Sequence, residues 1–445
     1  MSDGTGCDDP PGPAVARRDV LAGTGALAIG AIAGCSQSDN SADDTEEQPT
    51  ETSSPQATSA GTTTVGTSCD SPTTLSPSDV EGGGTVSAGC YRAEKTLTVG
   101  SGTLTLEPGV VIQFTQNRGL EIEGDGRIRA SGTADAPVVL TGTEADRGFW
   151  KGLRIENSNS TDNRLEHTVV EYAGASAWNP NYDPAGIFVR GDITTLSLRR
   201  STIRGNATMG LTVTQSGADL ALERVSFEDN EAPLYIPANH VGSIGSGTAF
   251  EGNDEGFVYL GEPSGAGGTT VADAASWPAL AVPYRPRIDV EVEAPVEVTP
   301  GATFLFEQNQ GMQIRGEGRL TADAGGGDPI TFSGTEDITG FWKGLFFSNS
   351  LSSDNVLRNT VIENGGSTET EGGGANDVAN LYLDGGGRAA GVAVSDSTVR
   401  GSGGYGIAIR NSDARLLACD GLAFENNAGA DTYNLESKTA ITACQ

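Results

Sequence analysis

Residues 172–186 read YAGASAWNPNYDPAG. Trp178 and Tyr182 supply flat apolar faces, while Asn179 and Asp183 supply amide and carboxylate groups. Sugar rings are held by that combination, because their C–H faces stack on aromatics and their hydroxyls need donors and acceptors. The alternative for the two rings is to fold back onto the scaffold that carries them. Acid–base chemistry is poorly provided for. Glycoside hydrolysis needs two carboxylates fixed across the scissile bond, one with a raised pKa. Glu171 and Glu363 stand at equivalent places in an internal repeat, yet neither has an evident acidic partner, and each reads as a surface residue. The only histidines are His167, which the repeat replaces by Asn359, and His240. Both read as turn or solvent-facing residues. There is no GxSxG elbow, phosphate-binding loop, HExxH or paired CxxC. No catalytic residue, metal ligand or cofactor is therefore assigned.

The chain carries 27 Lys plus Arg against 59 Asp plus Glu, a formal net charge of −32. Such a surface repels nucleic acid and anionic membrane, which excludes nucleic acid as a partner. It also makes an acidic cluster here more simply a solvated surface than a metal site. With so few lysines and so many carboxylates, the composition resembles that of halophilic archaea, whose salt would screen the self-repulsion.

Arg17-Arg18, the apolar run LAGTGALAIGAIAG and Ile32-Ala33-Gly34-Cys35 follow one another. A charged region, a short apolar region and small residues before a cut site describe an export signal. The run is too short and too rich in Gly and Ala for a comfortable span. These residues resemble a twin-arginine leader ending in a lipobox. That resemblance implies a signal peptide over 1–34, lipid attachment at Cys35, and anchorage to the outer face of the cell membrane by the lipid alone. Residues 35–68 are Ser, Thr, Pro and acidic residues without Lys or Arg. They bury too little to offset ordering entropy and read as a disordered stalk.

A shift of 192 residues aligns 109–174 with 301–366 at 30 identities in 66 positions, which makes duplication secure. The hexapeptide GFWKGL occurs at 148–153 and again at 340–345. Within each half, a phrase of Gly, apolar, any, apolar recurs, as in Gly152-Leu153-Arg154-Ile155 and Gly210-Leu211-Thr212-Val213. A second phrase, Thr or Ser then an aliphatic, alternates with it, as in Thr168-Val169 and Thr202-Ile203. Period-2 alternation makes these short strands, and the Gly, Asn and Asp between them turn the chain sharply. Units about two dozen residues long describe the coils of a solenoid.

Leu104-Thr105-Leu106-Glu107-Pro108-Gly109-Val110-Val111, Trp150-Lys151-Gly152-Leu153 and Tyr91-Arg92, which recurs as Tyr284-Arg285, resemble right-handed parallel β-helix proteins. The resemblance implies an all-β, single-stranded, right-handed parallel β-helix of two duplicated halves, 69–285 and 286–445. The polygalacturonase branch would require an NxD strand, an adjacent Asp pair, a GHG turn and an RxK strand, none of which stands in the body. In such coils GFWKGL is a copied structural corner, with Trp150 capping the core and Lys151 laying its stem across an apolar edge. Four cysteines allow three connectivities. Because Cys69 and Cys90 open the rod while Cys419 and Cys444 close it, Cys69–Cys90 and Cys419–Cys444 are the expected staples. Asn159-Ser160-Thr161 and Asn206-Ala207-Thr208 are glycosylation sequons, with Asn159 and Asn206 as acceptors. The expected role is a non-enzymatic surface module that binds extracellular or envelope glycan. Its alternatives are a polysaccharide lyase or hydrolase with an unrecognised site, and a purely structural envelope protein.

Overall fold

The computed structural model describes residues 69–262, 269–350, 353–368, 377–386 and 390–442. The leader, Cys35, the stalk and Cys444 lie outside the described residues. Described segments are short strands, with 3-10 turns at Pro77–Asp79 and Ala238–Ser243. Every strand pair is parallel except Thr432–Asn434 with Thr439–Ala440, which folds back over the last coil. Each strand pairs with its counterpart one coil away. Parallel strands joined by crossovers wind right-handed, and the architecture is a right-handed parallel β-helix.

A coil has three faces. In the first half, the first face is an eight-stranded sheet running from Thr73–Thr74 to Ala249–Glu251. The second face stacks Gly152–Glu156, Ala185–Arg190, Met209–Val213, Ala232–Ile236 and Val258–Leu260. The third stacks Arg164–Glu166, Thr195–Arg199 and Asp219–Glu223. Two long strands, Leu97–Leu106 and Gly119–Ser131, bend round the corner and join the second and third faces into one 17-stranded sheet.

Sequence-equivalent strands do not stay on one face. Val138–Gly142 belongs to the first face, but its equivalent Ile330–Gly334 continues the second. Gly152–Glu156 lies on the second face, whereas Gly344–Ser348 lies in a separate eight-stranded sheet. Arg164–Glu166 lies on the third, and Val356–Arg358 in a six-stranded sheet. The crossover point is Val258–Leu260, which pairs with Tyr284–Pro286. Tyr284-Arg285 repeats Tyr91-Arg92, yet Gly89–Ala93 is a first-face strand. The repeat therefore restarts one face on.

One apolar core runs through the coils, from Leu75 to Ala414. Its inward residues stack in register, as in Tyr284, Phe304 and Phe332, whose neighbouring ring centroids are 5.0 and 5.2 Å apart. Such like-on-like stacking lets each coil bury the open face of the next. Corners are made by residues at positive φ, among them Asn117, Asn157, Asn309 and Asn349, because a short polar side chain tolerates that region.

The hexapeptide is a structural corner in both copies. Trp150 has no exposed surface, stacks on Phe114 at 4.4 Å, and donates its indole N–H to the Glu171 carbonyl at 2.7 Å. Instead of capping the core from outside, it fills it. Gly152 has a φ of 104°, and a Cβ there would come within 2.6 Å of the Ala185 carbonyl oxygen, so only glycine fits. The repeated Asp-Asn pairs are also staples. Asn163 accepts the Ile128 N–H at 3.2 Å and Asn355 the Leu320 N–H at 2.9 Å, each supported by a buried serine.

Cys69 and Cys90 are bonded, with their Cα atoms 5.8 Å apart. The bridge ties the chain ahead of Thr73–Thr74 to the strand with which it pairs. Cys419 is also disulfide-bonded.

Candidate functional site

The segment after Thr168–Glu171 leaves the coil at Tyr172, whose φ is 63°, and returns at Ala185–Arg190. It folds across the outside of the second face. Trp178 packs against Gly119, where any Cβ would meet its ring at 2.6 Å. The Lys151 ammonium sits 4.4 Å from the centre of the Trp178 ring, and the Arg154 guanidinium is 5.9 Å away. Tyr182 tilts against Phe188 at 5.5 Å with the Arg190 guanidinium beside it at 6.0 Å. Both rings remain half-buried. The loop has folded back, and it keeps its aromatic surface where it lands.

Asn179 spends its side chain locally, accepting the Asn181 N–H at 3.0 Å. Asp183 is exposed. With Glu255 and Asp254 it surrounds Glu231, whose carboxyl is raised above its ordinary range, first by burial and then by these like charges. Among the described residues, no group of three or more His, Cys, Asp or Glu is placed to hold a metal ion.

What Trp178 and Tyr182 rest on was not picked out from the sequence. Strand residues that point away from the core form an outer row in register across six coils: Arg154, Phe188, Thr212, Tyr235, Tyr259 and Arg285. Phe188, Tyr235 and Tyr259 make a buried apolar cluster with Met209, separate from the main core. Two guanidiniums cover its far end. Arg287 lies 4.7 Å from the Tyr259 ring centre and 5.6 Å from that of Tyr235, while Arg285 lies 4.9 Å from Phe257. Cations over ring faces gain attraction from the ring quadrupole. Half of the pattern was nonetheless present in the sequence, since Arg154, Phe188 and Thr212 are the variable letter of the Gly-apolar-any-apolar phrase, whereas Tyr235, Tyr259 and Arg285 stand in strands that lack its glycine.

The cations differ in their freedom. Arg154 pairs with Glu121 and Glu156, Arg190 with Glu156, and Arg285 with Glu307 at 2.8 Å. Lys151 and Arg287 make no ion pair among the described residues, and Arg287 is exposed. Burial lowers the Lys151 pKa, reinforced by Arg154 and opposed by Glu121. Tyr259 donates its hydroxyl to Glu255, and burial followed by that bond pushes its pKa up to about 12. Its hydroxyl is a fixed donor rather than an acid. The buried Trp178 indole N–H and Thr212 hydroxyl have no hydrogen-bond partner among the described residues.

The two carboxylates considered for catalysis are held in cross-coil ion pairs. Glu171 accepts from Arg204 at 2.8 Å, and Glu363 from Arg400 at 2.6 Å. Each carboxylate is thereby engaged in a structural pair with the neighbouring coil. His240 is buried rather than solvent-facing, with Nε2 3.1 Å from the Gln215 carbonyl. Of the two sequons, Asn159 is exposed. Asn206 is not available in the fold. It has no exposed surface, and its amide donates to Asn230 at 2.7 Å within a ladder that continues to Asn253 at 3.0 Å.

The family model of a pectate-lyase-like β-helix domain matches residues 84–180. No curated protein matches the chain. Two solved structures of PfbA, a surface adhesin of Streptococcus pneumoniae, align with it. One is 11% identical over 81% of this chain and 92% of the other, with a TM-score of 0.22. The second is 10% identical over 80% and 93%, with a TM-score of 0.20. Superpositions that loose carry no argument about this chain.

Proposed function

We propose that this β-helix is a non-enzymatic surface module that binds an extracellular or envelope glycan on the outer side of its second face. Export by the twin-arginine route and a lipid on Cys35 would hold it at the outer face of the membrane. The observation that carries the reading is the convergence of half-buried rings and cations on that one outer surface. Trp178 and Tyr182 present ring faces there, Lys151 and Arg287 present charge that no ion pair among the described residues engages, and Phe188, Tyr235 and Tyr259 support the platform from below. Flat apolar faces with a few fixed polar groups are what a saccharide site requires. The ion-paired state of Glu171 and Glu363 favours binding over hydrolysis.

The test incubates the full chain at high salt with a panel of polysaccharides, following bound protein and newly released reducing ends together. Retention without release is expected, with Trp178→Ala plus Tyr182→Ala lowering retention. Release of ends would transfer the protein to the enzymes. Absence of both would leave a structural rod.

A further inference from the structure

The described residues hold two apolar clusters outside the main core, and they are copies of each other. The first contains Phe188, Tyr235 and Tyr259, as above. The second contains Phe346 and Tyr382, with Tyr405 packed against it. In the repeat, Tyr382 occupies the place of Phe188 and Phe346 that of Arg154. The outer row again runs in register, as Gln313, Phe346, Tyr382, Ala408 and Tyr433. Thus the duplication copied an outward aromatic row as well as an inward core.

The second row has two features suited to a ligand. Tyr405 and Tyr433 are half-buried and stack at 4.2 Å with planes 4° apart, leaving a flat aromatic edge at the surface. At the other end lies an open cleft of about 540 Å³ lined by Glu293, Gln313, Arg315, Glu317, Ser348 and Asn349. Gln313 is the register neighbour of Phe346, so the cleft adjoins the aromatic floor. The Gln313 amide makes no hydrogen bond among the described residues, which leaves two donors and an acceptor facing the cleft. Its one guanidinium is already engaged, because Arg315 bridges Glu291 and Glu293, and Glu317 leaves the lining net negative, which disfavours an anionic ligand. An uncharged, hydroxyl-rich chain suits rings, amides and a neutralised guanidinium better than an ion does.

We propose that the second half carries its own saccharide-binding surface at the two accessible ends of this row, the Gln313 cleft and the Tyr405–Tyr433 edge, with buried Phe346 and Tyr382 as the rigid support between them, and that the protein is bivalent. The proposal rests on the glycan reading of the first face. Because the repeat restarts one face on, the two rows lie in different sheets and face different sides of the solenoid. A single glycan chain along one row leaves the other row free, so two chains can be held at once and bridged. Because the sites face different sides, the gain is bridging between two chains rather than avidity on one surface, which needs both sites to engage it at once.

The experiment uses the full chain at high salt and beads coated in turn with the uncharged polymers xylan, mannan or dextran, the same polymer being supplied in solution with a fluorescent label. Wild type is expected to coat the beads of at least one polymer and to draw labelled polymer onto them. Trp178→Ala plus Tyr182→Ala should still coat, more weakly, but draw down at least about tenfold less label. Gln313→Trp, which fills the cleft, and Tyr405→Ala plus Tyr433→Ala, which removes the aromatic edge, should each do the same. Combining first- and second-face changes should abolish coating. Circular dichroism matching wild type accompanies each variant, and Gln313→Trp adds bulk only at an open surface. If both second-face variants bridge as well as wild type, bivalency is wrong while the first-face reading stands. If wild type coats no bead, both are wrong.

Discussion

Trp150 and Trp342 make the same two contacts on different faces of one solenoid. Each indole stacks on a phenylalanine of the preceding coil, Phe114 or Phe306, at 4.4 Å. Each donates its N–H at 2.7 Å to a main-chain carbonyl of the following coil, that of Glu171 or Glu363. The residue between coils is therefore clamped on one side by dispersion and on the other by a buried hydrogen bond.

Trp342→Ala removes both and opens a large cavity, with an expected loss of about 3–5 kcal/mol. Trp342→Phe keeps the stack but leaves the Glu363 carbonyl unpaired, and should cost less, about 1–3 kcal/mol. Denaturant unfolding of both variants checks the order. Equal costs would mean that the stack and the filled volume add nothing beyond the hydrogen bond; a Trp342→Phe cost near zero would mean that the hydrogen bond adds nothing.

Cys69→Ser plus Cys90→Ser releases the first coil. The bridge spans 21 residues of sequence. Closure of a loop that size stabilises by about 3 kcal/mol in the chain-entropy account. Limited proteolysis should then cut ahead of Tyr91 before any cut in later coils. Resistance equal to wild type would show that pairing of Thr73–Thr74 with the Tyr91 strand suffices.

Burial lowers the His240 pKa below its ordinary 6.5, opposed by the Gln215 carbonyl and Asp219. The unfolded chain then binds the proton more readily than the folded one. Stability from this residue is full above pH 6.5 and falls as pH drops below it toward the folded pKa. His240→Gln should flatten that part of the stability–pH curve while leaving the slope above pH 7 unchanged. An identical curve would remove His240 as its source.

Peptide mass spectrometry of protein from a glycosylating host should find glycan at Asn159 and none at Asn206. Asn159 is exposed, whereas Asn206 is a rung of the Asn206–Asn230–Asn253 ladder. Glycan on Asn206 would require modification before that turn closes.

The sequence by itself determined the unit, its duplication and its inward side. Gly-apolar-any-apolar gives alternate inward residues, and glycines such as Gly152 can occupy only a corner. These are local matters of backbone sterics and period-2 burial, so they are legible residue by residue. It also held the Cys69–Cys90 staple, because pairs at one end of a rod have few partners. The tertiary structure decided which face each half occupies, since strands about two dozen residues apart choose their column by how many turns the chain makes between Val258–Leu260 and Tyr284–Pro286. Stacking within the first half set Phe188, Tyr235 and Tyr259 beneath Trp178 and Tyr182, and the later choice sent Tyr382 and Tyr433 to another side. Outward residues carry no burial signal of their own. Only stacking of the coils turns them into rows.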